Sequence, residues 1–356
     1  MWFYREHNRL ARALSYINPC WDDEKLFETA RQINIAQWQY IVYYELMVEL
    51  LGKYILVKLL SNAGIIYDTD GFVNDFDPKF EPGIFHEYLV GLRWFHTFQD
   101  GRTDLFSNKG KYLGTRTLVD DEFRSGILEV NNTEADLTQG AFRQPSAKFD
   151  YVIEPDVTER AFGELQAAAD EPAIDMMRGR DQGLPPYNQY RKLCGMPYAH
   201  KFSELAYEIY PDVIIRLLSY IIIYLSLMPA IYSEKLMPGA WVGPTLFCIM
   251  AHNLVQWRRS DRHFFEHGDL PASLTLPQLN EIRQTSIARI LCDNGDKVDS
   301  IQPHAFINPR KGNEIVSCKD IPGIDLYKWS DPHCEHEHDY DWTPNQALNS
   351  FFKPNK

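Results

Sequence analysis

The chain of 356 residues is 45% hydrophobic and contains 20 Phe, 20 Tyr and 8 Trp, enough apolar surface to bury one large core or two smaller ones. Its formal net charge of -13 argues against nucleic acid or an anionic membrane surface as a partner, since like charge repels both. The six cysteines (Cys20, Cys194, Cys248, Cys292, Cys318 and Cys334) stand singly without a CxxC pair, which removes the usual zinc and thioredoxin patterns and leaves buried thiols or disulfides open.

The opening MWFYREHNRLARAL is charged and helical, without the apolar stretch of a signal peptide. Helical spacing predicts a helix from Arg5 to Tyr16, stopped by Pro19. Trp21 followed by Asp22, Asp23 and Glu24 reads as a staple, a cap and an acidic first turn. A long helix is expected from about Glu24 towards Gly52, with a break near Tyr43 to Glu45. Turn residues dominate 53–82. A further helix is expected from Gly83, with Phe85, Leu89, Leu92 and His96 along one apolar face.

Residues 99–155 are the least regular part and hold the single glycosylation sequon, at Asn131. Later helices are expected at 156–170, 187–194, 201–208, 211–226, 243–258 and 276–284, with no convincing strand alternation anywhere. The fold class is therefore mainly α, with little sheet. The uncharged run from Leu217 to Tyr232 is too short to cross a bilayer comfortably and reads as a buried helix. From Ser330 onward the chain reads as a poorly ordered acidic tail. Its HCEHEHDYD stretch, with Cys334, His336, His338 and Asp339, holds metal-type donors within a flexible segment.

Two features carry chemistry. His96 lies among apolar residues in LRWFHTF, where a histidine is either a satisfied core residue or a metal ligand. The run from Asp175 to Asn188, DMMRGRDQGLPPYN, packs charges and a glycine into a few residues, as a capped turn between helices also would.

This second run resembles the N-I-Q-R-G-R-D-H-G-L-P-x-Y-N motif of animal haem peroxidases. Other segments resemble that family in the same order: REHNRLA (5–11), NPCWDDEKLFETAR (18–31), LRWFHT (92–97), YNQYRKLCGMP (187–197), PGAWVGPTLFCIM (238–250), DRHFFE (261–266), RILCDN (289–294) and INPRKGNEIVSCKDIPGIDLYKW (307–329). The resemblance implies a helical peroxidase-type domain over 1–329, followed by the tail at 330–356. It implies b-type haem with His96 as proximal iron ligand, and hydrogen peroxide and a small reducing substrate as reactants. Asp175 stands where the family has the Asn that accepts a hydrogen bond from this histidine. A carboxylate there pushes the imidazole towards imidazolate and lowers the iron's potential. Arg93 and Arg178 match arginines of the haem surroundings, a role that suits their planar, carboxylate-pairing forks. The resemblance also pairs Cys194 with Cys248 and Cys292 with Cys318, implying a secretory or extracellular setting. Cys20 and Cys334 are left without an assigned partner.

Departures from the family pattern are Gln182 in place of a His, Phe95 in place of a Gly, and one residue fewer between Phe85 and His96. Lipid-oxygenase relatives carry a radical tyrosine three residues before the proximal His; Arg93 occupies that position, and the nearest tyrosine is Tyr88. The family's distal His and Arg, its haem-esterifying carboxylates and its calcium loop all lie upstream of REHNRLA, so no catalytic residue is identified in this chain. The expectation is a fragment, or a truncated gene prediction, of a secreted peroxidase. The alternative is a short, inactive pseudo-peroxidase acting as an extracellular binding or matrix protein.

Overall fold

The computed structural model describes residues 1–52, 60–163, 168–217 and 225–334. Helix Trp2–Ile17 buries Glu6, Leu10, Ala13, Leu14 and Ile17 along one stripe and packs on helix Asp23–Tyr40. The Asp22 side chain caps the second helix by accepting from the Lys25 N–H at 2.9 Å, with Asp23 and Glu24 complementing the dipole. The expected break near residues 43–45 is instead a widening: π-type turns at Ile41–Leu46 lead without interruption into helix Met47–Leu51. Long-range bonds explain it. Tyr43 donates to the Leu254 carbonyl at 2.8 Å, Tyr44 donates to Glu266, and Glu45 accepts from the Ile287 N–H at 3.0 Å. An extra residue in the turn aims three consecutive side chains at three different targets.

The single helix expected from Gly83 through His96 does not form. A π-type segment Glu87–Gly91 ends at Leu92, whose φ of -98° and ψ of 67° leave the helical region, and a separate 3₁₀ turn, Trp94–Thr97, carries His96. The buried residues are Val90, Leu92 and Trp94, whereas Phe85 and Leu89 are exposed. Tertiary packing wins over periodicity here: Gly91 lies so close to Leu184 and Leu227 that an added Cβ would meet them at 2.8 and 3.1 Å.

Strand Arg102–Phe106 pairs antiparallel with Tyr112–Thr117, a hairpin the sequence reading did not anticipate. Most of its residues are exposed or half-buried, so it lacks the apolar alternation that announces a strand. The expected helix 156–170 is reduced to one turn, Pro155–Thr158. Left-handed backbone at Phe162 (φ 71°) and Gly163 (φ 93°) prevents its continuation. A new helix then starts behind the Asp170 cap and runs Glu171–Asp181, so the charged motif read as a turn lies on a helix.

Helices Tyr187–Leu193, Pro244–Ser260 and Leu276–Ile282 lie where the periodicity places them. The expected 201–208 helix is a 3₁₀ turn at Phe202–Leu205. Of the expected 211–226 helix, Pro211–Leu217 is helical and 218–224 lie outside the described residues; a separate helix, Leu227–Ser233, follows. No described helix is long and apolar enough to cross a membrane.

The tail departs from expectation at its start. A Cys20–Cys334 disulfide anchors it, and Asp331 accepts bonds from Trp21 and Lys25 while its own N–H reaches the Asn18 side chain. Residues 335–356, including His336, His338 and Asp339, lie outside the described residues. Cys334, being disulfide-bonded, offers no thiolate to a metal.

A buried carboxyl joins Leu227–Ser233 to the start of Pro244–Ser260. Glu234 accepts from the Thr245 N–H (3.0 Å), the Thr245 hydroxyl (2.6 Å) and the Tyr187 hydroxyl (2.6 Å). Burial pushes it up to about 7, against the opposing pull of those donors. The folded chain therefore keeps this proton over a range where the unfolded chain, titrating near about 4.3, has lost it. The contribution to stability is fully present below the unfolded value and is lost as pH rises through about 7. Glu234→Gln keeps an acceptor but removes the titration. Its denaturant midpoint is expected to fall less between pH 5 and pH 8 than the parent's, by the equivalent of about 3 kcal/mol. An identical pH slope in both proteins would exclude Glu234 as the source.

Candidate functional site

Asp175 is the hub of the site. It lies within helix Glu171–Asp181, its side chain fully buried. Glu171, four residues before it, and Arg178, three after it, share its helical face. The Trp94–Thr97 turn packs His96 against this face, with Nδ1 2.6 Å from Asp175 Oδ2. Arg178 Nη1 donates to Asp175 Oδ1 at 2.9 Å, and Arg93 Nε lies 3.8 Å from the same oxygen. The four residues singled out in the sequence, His96, Arg93, Asp175 and Arg178, therefore meet at one carboxyl group.

The His96–Asp175 contact has hydrogen-bond length but not well-aligned hydrogen-bond geometry, and both atoms are shut off from water. Distance carries more weight than angle here, because a small ring rotation aligns the N–H. A carboxylate is an acceptor only. The contact therefore assigns the proton to Nδ1 and leaves the Nε2 lone pair for a metal. Arg93 Nε and one Glu171 oxygen are likewise buried without a hydrogen-bond partner. Burial, then the nearby Asp175 charge, raises the Glu171 carboxyl above its ordinary value.

These residues fit the proximal side of a haem. The imidazole is oriented by a carboxylate, its side chain remains 29% exposed, and two partly exposed guanidinium groups flank it. The neighbouring Phe95 is 51% exposed and stacks on Trp94 with ring centroids 3.8 Å apart, so a ring in place of the family's Gly causes no conflict with the turn. Gln182 points elsewhere: its side chain meets Asp181, while its carbonyl lies 3.2 Å from His86 Nε2.

The structure contains disulfides Cys194–Cys248 and Cys292–Cys318, the pairs the resemblance implied, together with Cys20–Cys334. Asn131 is exposed on a left-handed turn. Two residues of the site went unnoticed in the sequence. Glu171 becomes visible once 171–181 is read as a helix. Tyr232, which donates to the Arg93 carbonyl, is 139 residues away and has no local signal.

Comparison with known proteins agrees with this geometry. The animal haem peroxidase family profile matches residues 1–306. A peroxidase of Drosophila melanogaster is 39% identical over 335 residues, covering 92% of this chain and 48% of that protein. The peroxidasin homolog of Mus musculus is 33% identical over 344 residues, covering 93% of this chain and 22% of that protein. The chain thus spans half or less of the length of these relatives. Among solved structures, peroxidase A from Dictyostelium discoideum superposes with a TM-score of 0.71 at 22% identity, covering 86% of this chain and 56% of that one. The fatty acid alpha-dioxygenase of Oryza sativa shares the fold with a TM-score of 0.67 at 14% identity, over 83% and 54% of the two chains. By sequence and by fold, the chain belongs to the animal haem peroxidase family.

Proposed function

We propose that this chain supplies the proximal half of a b-type haem site in a secreted peroxidase that oxidises small reducing substrates with hydrogen peroxide. The observation that carries the reading is the 2.6 Å contact between His96 Nδ1 and the buried Asp175 carboxyl. In a metal-ligating histidine the non-ligating nitrogen is held by such a partner, which fixes the tautomer and raises the basicity of the other nitrogen. Haem contributes the redox-active iron at which peroxide is reduced and the substrate oxidised. His96 would hold the iron through Nε2, Asp175 would retain the Nδ1 proton, and Arg93 and Arg178 would pair with the haem carboxylates. Proton movement on the peroxide needs a base and a charge-stabilising group on the opposite side. Those groups are assigned to the part of the longer family members that this chain does not span. Three disulfides and the exposed Asn131 sequon support an extracellular location.

The experiment is haem titration of this chain and of His96→Ala, followed by the Soret band. The parent is expected to give the band of an imidazole-ligated haem, and the variant to lose it, with affinity reduced at least roughly tenfold. An unchanged band in the variant would remove His96 as the ligand.

A further inference from the structure

The turn that carries His96 continues no helix. Leu92 breaks the chain before it, and its four residues, Trp94–Thr97, are 3₁₀. Such a turn has poor hydrogen-bond geometry and little stability of its own, so its placement depends on tertiary anchors. One anchor is at the far end, where Thr97 donates to the Asp150 carbonyl at 2.8 Å. Another is the indole of Trp94, which is 1% exposed. The near end rests on the Arg93 carbonyl, which accepts two bonds, one from the His96 N–H at 3.0 Å and one from the Tyr232 hydroxyl.

Tyr232 belongs to helix Leu227–Ser233, which packs against both the His96 turn and the Asp175 helix. Its ring is 4% exposed and edge-on to Phe149, with centroids 6.0 Å apart. Burial and the nearby Asp175 charge push its phenol well above the usual range, outweighing the pull of Arg93. The hydroxyl therefore remains a donor at any working pH.

We propose that Tyr232 is a positioning residue: its bond to the Arg93 carbonyl fixes the His96 turn against the Asp175 helix and so holds the imidazole on its carboxyl partner. This deepens the haem-site reading above and rests on it for its functional meaning. A buried tyrosine that merely filled space would serve as well without its hydroxyl; this one puts the hydroxyl on the atom that starts the ligand's turn.

The test is Tyr232→Phe, which keeps the ring and removes only the donor. In the haem-free chain, the His96 amide is expected to exchange with solvent about fivefold or more faster, matching the net worth of one hydrogen bond. Amides of Pro244–Ser260 are expected to remain unchanged. In the haem-loaded chain, the ferrous iron–histidine stretching band is expected to broaden and move. Phe149→Leu, which loosens the brace but keeps the hydroxyl, is expected to move both readouts less and in the same direction. Tyr43→Phe removes a comparable buried hydroxyl, bonded to the Leu254 carbonyl at 2.8 Å, and is expected to leave the His96 amide alone. Unchanged His96 exchange and an unchanged iron–histidine band in Tyr232→Phe would overturn the proposal. So would an equal effect from Tyr43→Phe. If His96→Ala kept its Soret band, the haem reading would fail, while the amide exchange would still decide whether Tyr232 positions the turn.

Discussion

A Cys20→Ser, Cys334→Ser double variant is expected to lose about 5 kcal/mol of stability, the largest single effect of any change considered for this chain. The bond joins residues 314 apart in sequence, so in the unfolded chain it closes a loop that takes in almost the whole protein. Loop-closure entropy grows with the logarithm of loop length. The shorter loops closed by Cys194–Cys248 (separation 54) and Cys292–Cys318 (separation 26) are correspondingly expected to contribute less. The polar contacts around the clip remain in the variant: Asn18 to the Trp329 carbonyl at 3.1 Å, and Trp21 to Asp331 at 2.9 Å. Folding should therefore survive with a lower denaturant midpoint. The comparison is equilibrium unfolding of the parent and the double variant under oxidising conditions. Equal midpoints would show that the clip is held by its noncovalent contacts alone.

The second large effect is expected at Arg258, whose side chain is fully buried. Its Nη1 meets Glu266 at 2.6 Å and its Nε meets Asp75 at 2.8 Å, while its guanidinium lies 4.6 Å from the centre of the Tyr67 ring. Glu266 also accepts from Tyr44 and Arg283, and Asp75 lies 2.8 Å from His267 Nε2. The network ties the 65–77 loop, the π-type turns and helix Pro244–Ser260 to one another. Arg258→Met removes the shared cation and leaves two carboxyl groups in a site largely closed to water, at a cost of about 3–5 kcal/mol. Adding Glu266→Gln removes the more buried of the two carboxylates and is expected to recover part of that loss. Non-additive unfolding free energies of the single and double variants measure the coupling. Strict additivity would mean that the pair contributes nothing beyond its separate members.

Much of the site was legible because the family motifs name residue types whose chemistry is specific. An imidazole, a carboxyl and two guanidinium groups in the right order implied their own meeting place, and the structure brings His96, Asp175, Arg93 and Arg178 to one carboxyl. How they meet was not legible. Helical periodicity carried His96 along a continuous apolar face, whereas the chain leaves the helix at Leu92 and re-forms as a short turn. The deciding contacts are Gly91 against Leu184 and Leu227, and Tyr232 against the Arg93 carbonyl. Each joins residues roughly a hundred or more positions apart, beyond the reach of any local pattern.

The same division runs through the fold. Wherever an element owes its existence to neighbours within a few residues, the sequence by itself determined it. The Asp22 cap with its acidic first turn, the stripe Leu10, Ala13, Leu14 and Ile17, and the Pro244–Ser260 helix are all of this kind. These features follow from a 3.6-residue period and from hydrogen bonds that close over three or four positions. The tertiary structure alone decided the half-exposed hairpin Arg102–Phe106 with Tyr112–Thr117, the widened turns at Ile41–Leu46 and the Cys20–Cys334 clip. In each of these the stabilising partner lies on another segment, or the side chains sit at a surface where burial imposes no pattern, so the stretch itself holds no record of its shape.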